Sequence, residues 1–229
     1  MSKREDIWCL CVVCVHKTPL CEIQEGYTDT IISFVNIIAV HNRFHYHISM
    51  IYLFASDIHG SAYAMHSLLN IFQTTKASKL ILLGDLLYHG PRNAFPYKYN
   101  PKEAYRLQNS VKESLISVRG NCDSEVDQMV LEFPMLSDSA LMHLDQVGDH
   151  IIYLHHGHKE LPPLSPGTIV ISGHTHIPVA EKREELIFIN PGSVALPKGG
   201  FPASYCLLEE NTFTIYELES GKEMMSLTI

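Results

Sequence analysis

The chain has 229 residues, which is enough for one substantial domain. Its formal net charge of −8 argues against a nucleic-acid groove, where Lys and Arg side chains cluster. Apolar residues make up 46% of the chain, yet no apolar run is long enough to cross a bilayer, so no membrane association is predicted.

Residues 1 to 49 differ from the rest and are predicted to be a poorly ordered N-terminal extension that adds no chemistry. Four of the six cysteines fall in this segment: Cys9, Cys11, Cys14 and Cys21. Their spacing is irregular and no matching second pair of ligands follows, which argues against a zinc site. Their crowding in one segment argues against a disulfide framework. A reduced, cytoplasmic protein is therefore predicted.

The compact domain is predicted to span residues 50–229. The apolar stretch at residues 31–40 lies too far from the start, and is too short, for a signal peptide. Met50 stands immediately before the first predicted strand. We therefore hypothesise that Met50 is the native start and that residues 1–49 come from an over-extended reading frame.

From Met50 onward the hydrophobic pattern alternates between strands and helices. Strands are predicted at residues 51–56, 79–83 and 115–118. One helix follows Ser61, a candidate N-cap, and a second begins at Pro101, preceded by Asn100 and followed by the capping-box residue Glu103. Strand–helix–strand repetition predicts a parallel sheet with helical crossovers.

Beyond Ser139 the pattern is that of strands alone. They are predicted at residues 141–147, 151–155, 168–172, 186–190, 204–208, 212–218 and 223–228. Short turns at residues 210–211 and 220–221 separate the last three. This pattern predicts a second, largely antiparallel sheet that packs face to face on the first.

Seven polar side chains follow predicted strands, at the edge where open α/β sheets bind ligands. They are Asp57, His59, Asp85, Asn121, His156, His174 and His176. Asp57 and His59 share one parity, so on an extended chain they point the same way. Oxygen and nitrogen donors without thiolate favour Mn, Fe or Zn, and seven suit two ions that share a carboxylate. Asp85, on a tight Gly-Asp turn, is the natural bridge.

Five ordered blocks resemble the calcineurin-like metallophosphoesterases. They are Asp57-Ile58-His59, Gly84-Asp85, Gly120-Asn121-Cys122-Asp123, His156-Gly157-His158 and Gly173-His174-Thr175-His176. The resemblance covers Met50 to the end, and the stretches at residues 90–93, 119–127 and 190–193 are similar to the small bacterial phosphodiesterases of that family. It implies an α/β fold, a four-layer α/β/β/α sandwich of two mixed sheets flanked by helices.

The family also implies the arrangement of the metal ligands and the reaction. One divalent cation, most simply Mn²⁺, would be held by Asp57, His59 and His176. The other would be held by Asn121, His156 and His174, with Asp85 bridging. Two cations about 3.5–4 Å apart lower the pKa of a bridging water, and the resulting hydroxide attacks phosphorus in line. The implied activity is a hydrolase acting on small phosphodiesters, and small enzymes of this kind often form homo-oligomers.

Two alternatives stay open at this point. One is a phosphomonoesterase of the same fold. The other is a protein-binding scaffold similar to the retromer subunit of this fold, in which metal chemistry is weakened. The complete set of seven donors favours an enzyme, whereas Cys122 favours the scaffold, because most catalytic relatives have His at that position.

The candidate catalytic residues are Cys122, Asp123 and His158. A thiol of normal pKa is a poor general acid for an alkoxide, so Cys122 predicts a preference for activated diesters such as aryl phosphodiesters. The alternative is that Cys122 is only a small buried apolar residue. Asp123 is expected to orient a neighbouring imidazole, and His158 to reach a bridging oxygen.

The candidate substrate-binding residues are His89, Arg92 and Arg119. Each arginine has the charge to steer a phosphate, although Arg119 directly precedes the Gly-Asn block and alternatively braces it. His89 follows the bridging acid and either lines the substrate mouth or is an ordinary loop residue.

Overall fold

The structure, a computed structural model, describes residues 50–229. The predicted N-terminal extension and its four cysteines lie outside the described residues. No helix within residues 50–229 is long and apolar enough to cross a membrane.

The described part of the chain forms three α-helices and eleven strands. The helices are α1 (Ala62–Thr75), α2 (Pro101–Asn109) and α3 (Glu125–Gln128). The strands are β1 (Tyr52–Ala55), β2 (Lys79–Leu82), β3 (Leu115–Ser117), β4 (Ser139–His143), β5 (Ile151–His155), β6 (Ile169–Ile171), β7 (Val179–Arg183), β8 (Leu186–Asn190), β9 (Ser204–Glu209), β10 (Thr212–Glu217) and β11 (Glu223–Thr228).

The two long helices begin where their caps predict. The Ser61 hydroxyl accepts a hydrogen bond from the backbone N–H of Ala64, at 3.1 Å, in the first turn of α1. The Asn100 side chain accepts one from the N–H of Glu103, at 3.2 Å, and α2 begins at Pro101. These caps satisfy donors that the first helical turn leaves free.

The first sheet has six strands in the order β11-β10-β9-β1-β2-β3. Its β1, β2 and β3 strands are parallel, as predicted. The prediction that the last three strands belong to the second sheet is wrong. Strand β9 pairs antiparallel with the free edge of β1, with Leu53 opposite Leu207, and tight hairpins add β10 and β11. This pairing leaves β1 hydrogen-bonded on both sides.

The second sheet has five strands in the order β4-β5-β6-β8-β7. Strands β5, β6 and β8 are parallel, and β4 and β7 pair antiparallel at the edges, so this sheet is mixed rather than largely antiparallel. Strand β7 was not predicted because Glu181, Lys182 and Arg183 are exposed and leave no apolar alternation.

Strand β1 separates the two halves of the core. Its Leu53 and Ala55 face a cluster shared with α1 and α2, whereas Tyr52 and Phe54 face the second sheet. The ring of Phe54 is fully buried, with its centroid 6.0 Å from that of Phe213. Two mixed sheets packed face to face, with helices on the first, confirm the predicted α/β fold class.

Candidate metal centre

The predicted donor side chains come together where strands from both sheets end. The Asp57 Oδ1 atom lies 3.3 Å from Nε2 of His176. The Asp85 Oδ2 atom lies 3.7 Å from Nε2 of His59 and 3.5 Å from Nε2 of His156. Asp85 therefore lies between His59, which follows β1 of the first sheet, and His156, which follows β5 of the second.

Backbone conformation, rather than strand alternation, aims these side chains. Five of the seven donors have positive φ: Asp57 (57°), His59 (50°), Asp85 (56°), His174 (66°) and His176 (60°). The expectation that extended-chain parity aligns Asp57 with His59 is thus wrong, because β1 ends at Ala55 and both residues lie in a left-handed turn. Such conformations cost about 1–3 kcal/mol each for non-glycine residues and cluster at functional sites.

Two glycines allow the turns to approach one another. A Cβ at Gly120 would lie 2.1 Å from Oδ1 of Asp85, and a Cβ at Gly173 would lie 1.8 Å from Oγ of Ser56. Any side chain at either position would push a donor-bearing turn away. The two motifs that contain these glycines therefore need Gly because no side chain would fit there.

Backbone carbonyls fix the orientation of three imidazoles. The Nδ1–H of His59 donates to the carbonyl of Tyr88 at 2.8 Å, and that of His156 donates to the carbonyl of Leu83 at 2.6 Å. The Nδ1–H of His176 donates likewise to the carbonyl of Leu196. Each Nε2 atom is thereby turned towards the carboxylates, as is usual for metal-binding histidines.

The donor set fits a divalent cation. The Asp57 Oδ1 atom is buried and has no hydrogen-bond partner in the described part of the chain. The Nε2 atoms of His59 and His176 face each other at 3.4 Å. The donor atoms of Asp57, His59 and His176 all lie within 4.8 Å of one another. Acceptors gathered this closely in a buried place need a positive charge between them.

A second group of donors adjoins the first. Donor atoms of Asp57, Asp85 and His156 also lie within 4.8 Å of one another. The Oδ1 atom of Asn121 is 3.1 Å from Nε2 of His156, and the ring centroid of His174 is 5.1 Å from that of His156. All seven predicted donors are therefore neighbours.

The two carboxylates of this cluster stay ionised at neutral pH. Burial raises the pKa of Asp57 and of Asp85, but the influence of nearby imidazoles outweighs it, and the net pKa of both carboxyls is lowered. Burial lowers the pKa of His156, yet the Asp85 and Asp57 carboxylates raise it to about 9. The carboxylates thus stay ionised and attract a positive charge to the place between them.

Asp123 contacts the backbone rather than an imidazole. Its carboxylate accepts hydrogen bonds from the N–H groups of Asp85 (2.8 Å), Leu86 (2.8 Å) and Gly120 (2.7 Å). Burial raises its pKa to about 6. The side chain ties the turn that carries Asp85 to the turn that carries Asn121.

Cys122 lies at the edge of the donor cluster and is partly exposed. Its Sγ atom lies within 4.8 Å of donor atoms of His59 and Asp85, and its N–H donates to Oδ1 of Asp85 at 2.8 Å. Burial, together with the charge of Asp85, raises the pKa of the thiol to about 12. Cys122 is therefore not in the apolar core.

The other candidate residues surround the cluster at different distances. The His158 ring centroid is 5.4 Å from that of His156 and 6.1 Å from that of His174, and its Nδ1 atom is buried without a partner among residues 50–229. Arg119 contacts residues that lie close to it in the sequence. Its Nε donates to the carbonyl of Asp123, and its Nη1 pairs with Glu125, each at 3.3 Å.

The loop after Asp85 carries the remaining substrate candidates. The His89 ring packs among aromatic side chains, with centroid distances of 4.5 Å to Phe95 and 5.3 Å to Tyr99. Arg92 is exposed, and its guanidinium is free of ion pairs within the described part of the chain. Arg92 is thus the more available of the two predicted arginines.

Two positioning residues were not predicted as part of the site. The Ser193 hydroxyl donates to the carbonyl of Asp57 at 2.9 Å and accepts from the N–H of Leu196 at 2.8 Å, which places the Leu196 carbonyl against His176. The Asn190 amide donates to the carbonyl of Gly173 at 2.8 Å. Asn190 ends strand β8 and Ser193 follows three residues later, and this position at a strand end was the available signal.

Comparison with known proteins gives one family and one fold. The model of the calcineurin-like phosphoesterase superfamily domain matches residues 50–212. Phosphodiesterase YfcE of Escherichia coli strain K12 is 45% identical over 181 residues, covering 77% of this chain and 97% of YfcE. A solved structure of E. coli YfcE, described as a phosphoesterase, superposes with a TM-score of 0.76 at 43% identity, covering 79% of this chain and 100% of that one.

A more distant structure shares the fold alone. Vacuolar Protein Sorting 29 from Cryptosporidium parvum matches with a TM-score of 0.51 at 20% identity, covering 79% of this chain and 99% of that one.

Proposed function

The chain is a member of the calcineurin-like phosphoesterase superfamily, and from that premise we propose that it is a phosphodiesterase that works with two divalent cations, most simply Mn²⁺. The observation that carries the proposal is the cluster of seven oxygen and nitrogen donors around Asp85. The similarity to phosphodiesterase YfcE supports a diester rather than a monoester as substrate.

The residues divide into two sets of ligands that share Asp85. Asp57, His59 and His176 would hold one cation. Asn121, His156 and His174 would hold the other. When bound, the cations supply an activated water as nucleophile and withdraw charge from the phosphoryl oxygens.

The surrounding chain keeps these ligands in one arrangement. Backbone carbonyls hold three imidazoles with Nε2 inward, and the carboxylate of Asp123 joins the two turns that carry Asp85 and Asn121. Preorganisation of this kind avoids the cost of reordering donors during each turnover. His158, next to His156 and His174, is proposed to donate a hydrogen bond to a phosphoryl oxygen.

Leaving-group chemistry sets the expected substrate preference. Most catalytic members of the family have, in place of Cys122, a histidine that is proposed to protonate the leaving oxygen, and a thiol does this poorly. Substrates whose leaving group is already acidic, such as aryl phosphodiesters, therefore react best. Arg92 is proposed to attract the anionic substrate to the site.

One assay tests the proposal against its alternatives. Metal-stripped protein is given an aryl phosphodiester or the matching monoester, with and without Mn²⁺, and Asp57→Asn serves as the control that keeps the side-chain shape. We expect Mn²⁺-dependent hydrolysis of the diester by the wild type alone. Hydrolysis of only the monoester would identify a phosphomonoesterase, and no hydrolysis with any divalent metal would favour the protein-binding scaffold.

A further inference from the structure

We propose that the exposed ring of Phe95, in the loop after Asp85, stacks on an aromatic ring of the substrate, so that the natural diester carries a nucleobase or an aryl group. This inference rests on the proposed phosphodiesterase function and names its substrate class. It concerns how the substrate is bound and leaves the hydrolytic step as already described.

The loop begins directly beside the candidate metal centre. The carbonyl of Tyr88 accepts a hydrogen bond from Nδ1–H of His59 at 2.8 Å. A Cβ at Gly90 would lie 3.1 Å from Sγ of Cys122. Residues 88–90 therefore contact two of the turns that carry the predicted donors.

The far end of the loop is also held against the centre. The N–H of Asn100 donates to the carbonyl of Gly60 at 2.9 Å, in the turn that follows His59. A Cβ at Gly60 would lie 2.7 Å from Cε2 of Tyr99, so this ring packs directly on that turn. Both ends of the loop are thus fixed to residues that neighbour the proposed ligands.

Phe95 lies between these two ends and packs on other rings. Its ring centroid is 4.5 Å from that of His89 and 4.9 Å from that of Tyr99. The His89 ring in turn lies 4.7 Å from the ring of Tyr88. Ring contacts therefore run without a break from the residue that touches His59 to Phe95.

The outer members of this series of rings are open to solvent. Phe95 is 67% exposed and Tyr88 is 42% exposed. Exposed apolar surface beside a cluster of polar groups is typical of a ligand site, and proteins bind flat rings by stacking them on aromatic side chains. Since its neighbours already hold the Phe95 ring, little side-chain freedom is lost when a second ring stacks on it.

The chemistry of a phosphodiester matches this arrangement. Its phosphate is anionic, and the proposed cations and the exposed guanidinium of Arg92, in the same loop, are suited to an anion. Each diester also has two organic substituents. The Phe95 ring offers an aromatic substituent an apolar face next to the place where the phosphate would bind.

Tyr97 provides a matched control in the same loop. It is 66% exposed, almost the same as Phe95. Its ring packs edge-on against that of Tyr63 in α1, with centroids 5.1 Å apart, and Nζ of Lys98 lies 5.8 Å from its centroid. Loss of the Tyr97 ring therefore removes a similar exposed surface from a different set of contacts.

The test measures binding to the Mn²⁺-supplemented full chain by titration calorimetry. Adenosine 5′-monophosphate is compared with ribose 5-phosphate, and phenyl phosphate with ethyl phosphate, because the members of each pair differ in the aromatic ring. We expect the ring-bearing member to bind wild type about 10–100-fold more tightly, as is typical of a stacked ring. Phe95→Ala should reduce this ratio to less than about threefold, whereas Phe95→Tyr and Tyr97→Ala should retain it.

The pair that shows the preference identifies the substrate class. A preference in the adenosine pair alone indicates a nucleobase, in the phenyl pair alone an aryl group, and in both an aromatic ring of either kind. Equal binding within both pairs, or a preference that survives in Phe95→Ala, would overturn the inference. Aryl diester hydrolysis is measured on the same samples, so absent hydrolysis counts against the proposed function and absent ring preference against this inference.

Two further measurements keep the result decisive. If Phe95→Ala changes the mass found by sedimentation and wild type shows no ring preference, the ring belongs to an interface between copies and the inference is overturned. Should Phe95→Ala fail to fold, as judged by circular dichroism, Phe95→Leu keeps apolar bulk without a flat ring and decides the same question.

Discussion

Strand β1 and the turn that follows it use opposite means to fix their side chains. Within β1, Leu53 and Phe54 are buried on opposite faces of a regular extended strand, and local preference agrees with packing. Three residues later, Asp57 and His59 are charged or polar, buried, and in left-handed conformations. In the core, apolar residues are buried and adopt the backbone conformations that they ordinarily prefer. In the candidate metal centre, polar residues are buried and are held in backbone conformations that they ordinarily avoid.

The largest expected effect on stability comes from a substitution in the core. Phe54→Ala should lower the free energy of unfolding by about 3–5 kcal/mol, because the ring is fully buried between the sheets and its removal leaves a cavity. Chemical denaturation measures the loss. The proposed metal stoichiometry of the folded fraction should not change, and a lost site would mean that core and centre are not independent.

A substitution in the metal centre should affect activity most. Asp85→Asn keeps the side-chain shape and removes the charge between His59 and His156, so we expect diesterase activity to fall by about 10²–10³-fold. The metal-free variant should unfold at a lower temperature than wild type at neutral pH, because the buried imidazole of His156 loses the carboxylate that raises its pKa.

Mn²⁺ should distinguish the same variant from wild type by thermal shift. At 100 times its Kd, a cation stabilises the folded state by about 2.7 kcal/mol. Wild type should show this rise in Tm and Asp85→Asn much less of it. An equal rise in both would place Mn²⁺ binding elsewhere in the molecule.

A smaller gain in activity is expected from restoring an imidazole beside the centre. Cys122→His should raise turnover of diesters with poor, alkoxide-like leaving groups, up to about 10²-fold, because a general acid becomes available. Aryl diesters should gain little, so their rates provide the internal comparison. Unchanged turnover of both classes would mean that another group protonates the leaving oxygen.

The smallest effect tests how the turns are held. Ser193→Ala removes hydrogen bonds to the Asp57 carbonyl and the Leu196 N–H, and should cost about 1–3 kcal/mol of stability, since buried polar groups lose their partner. Val194→Ala, a buried neighbour on the same segment, is the matched control. Only Ser193→Ala should also weaken Mn²⁺ binding, because it releases the carbonyl that orients His176.

The amino-acid pattern predicts the core better than it predicts the centre's geometry. Apolar strands β1, β2 and β5 are found where alternation and length place them, and all seven donors come together as their strand-end positions imply. The pattern does not predict β7, whose exposed charged residues carry no alternation. It also assigns β9 to the wrong sheet, because strand pairing depends on which edge of β1 is free.

The other geometric features of the candidate metal centre cannot be recognised from residue type. The carbonyls of Leu83, Tyr88 and Leu196 orient three imidazoles, and any residue has a carbonyl. Left-handed φ at Asp57 and His176 is imposed by neighbouring turns and not by local preference. Asp123 contacts three backbone N–H groups that are close only in the folded chain.

The pairing of β1 with β9 has a consequence for biosynthesis. Strand β1 begins the described domain, yet its partner on one side arrives about 150 residues later along the polypeptide. Until then, the nascent chain displays an apolar strand with one unpaired edge, which is a site for mispairing with other chains. A nascent chain stalled before Ser204 would therefore contain most of the proposed ligands but lack the strands that complete the first sheet. The need for chaperones should be greatest during that interval.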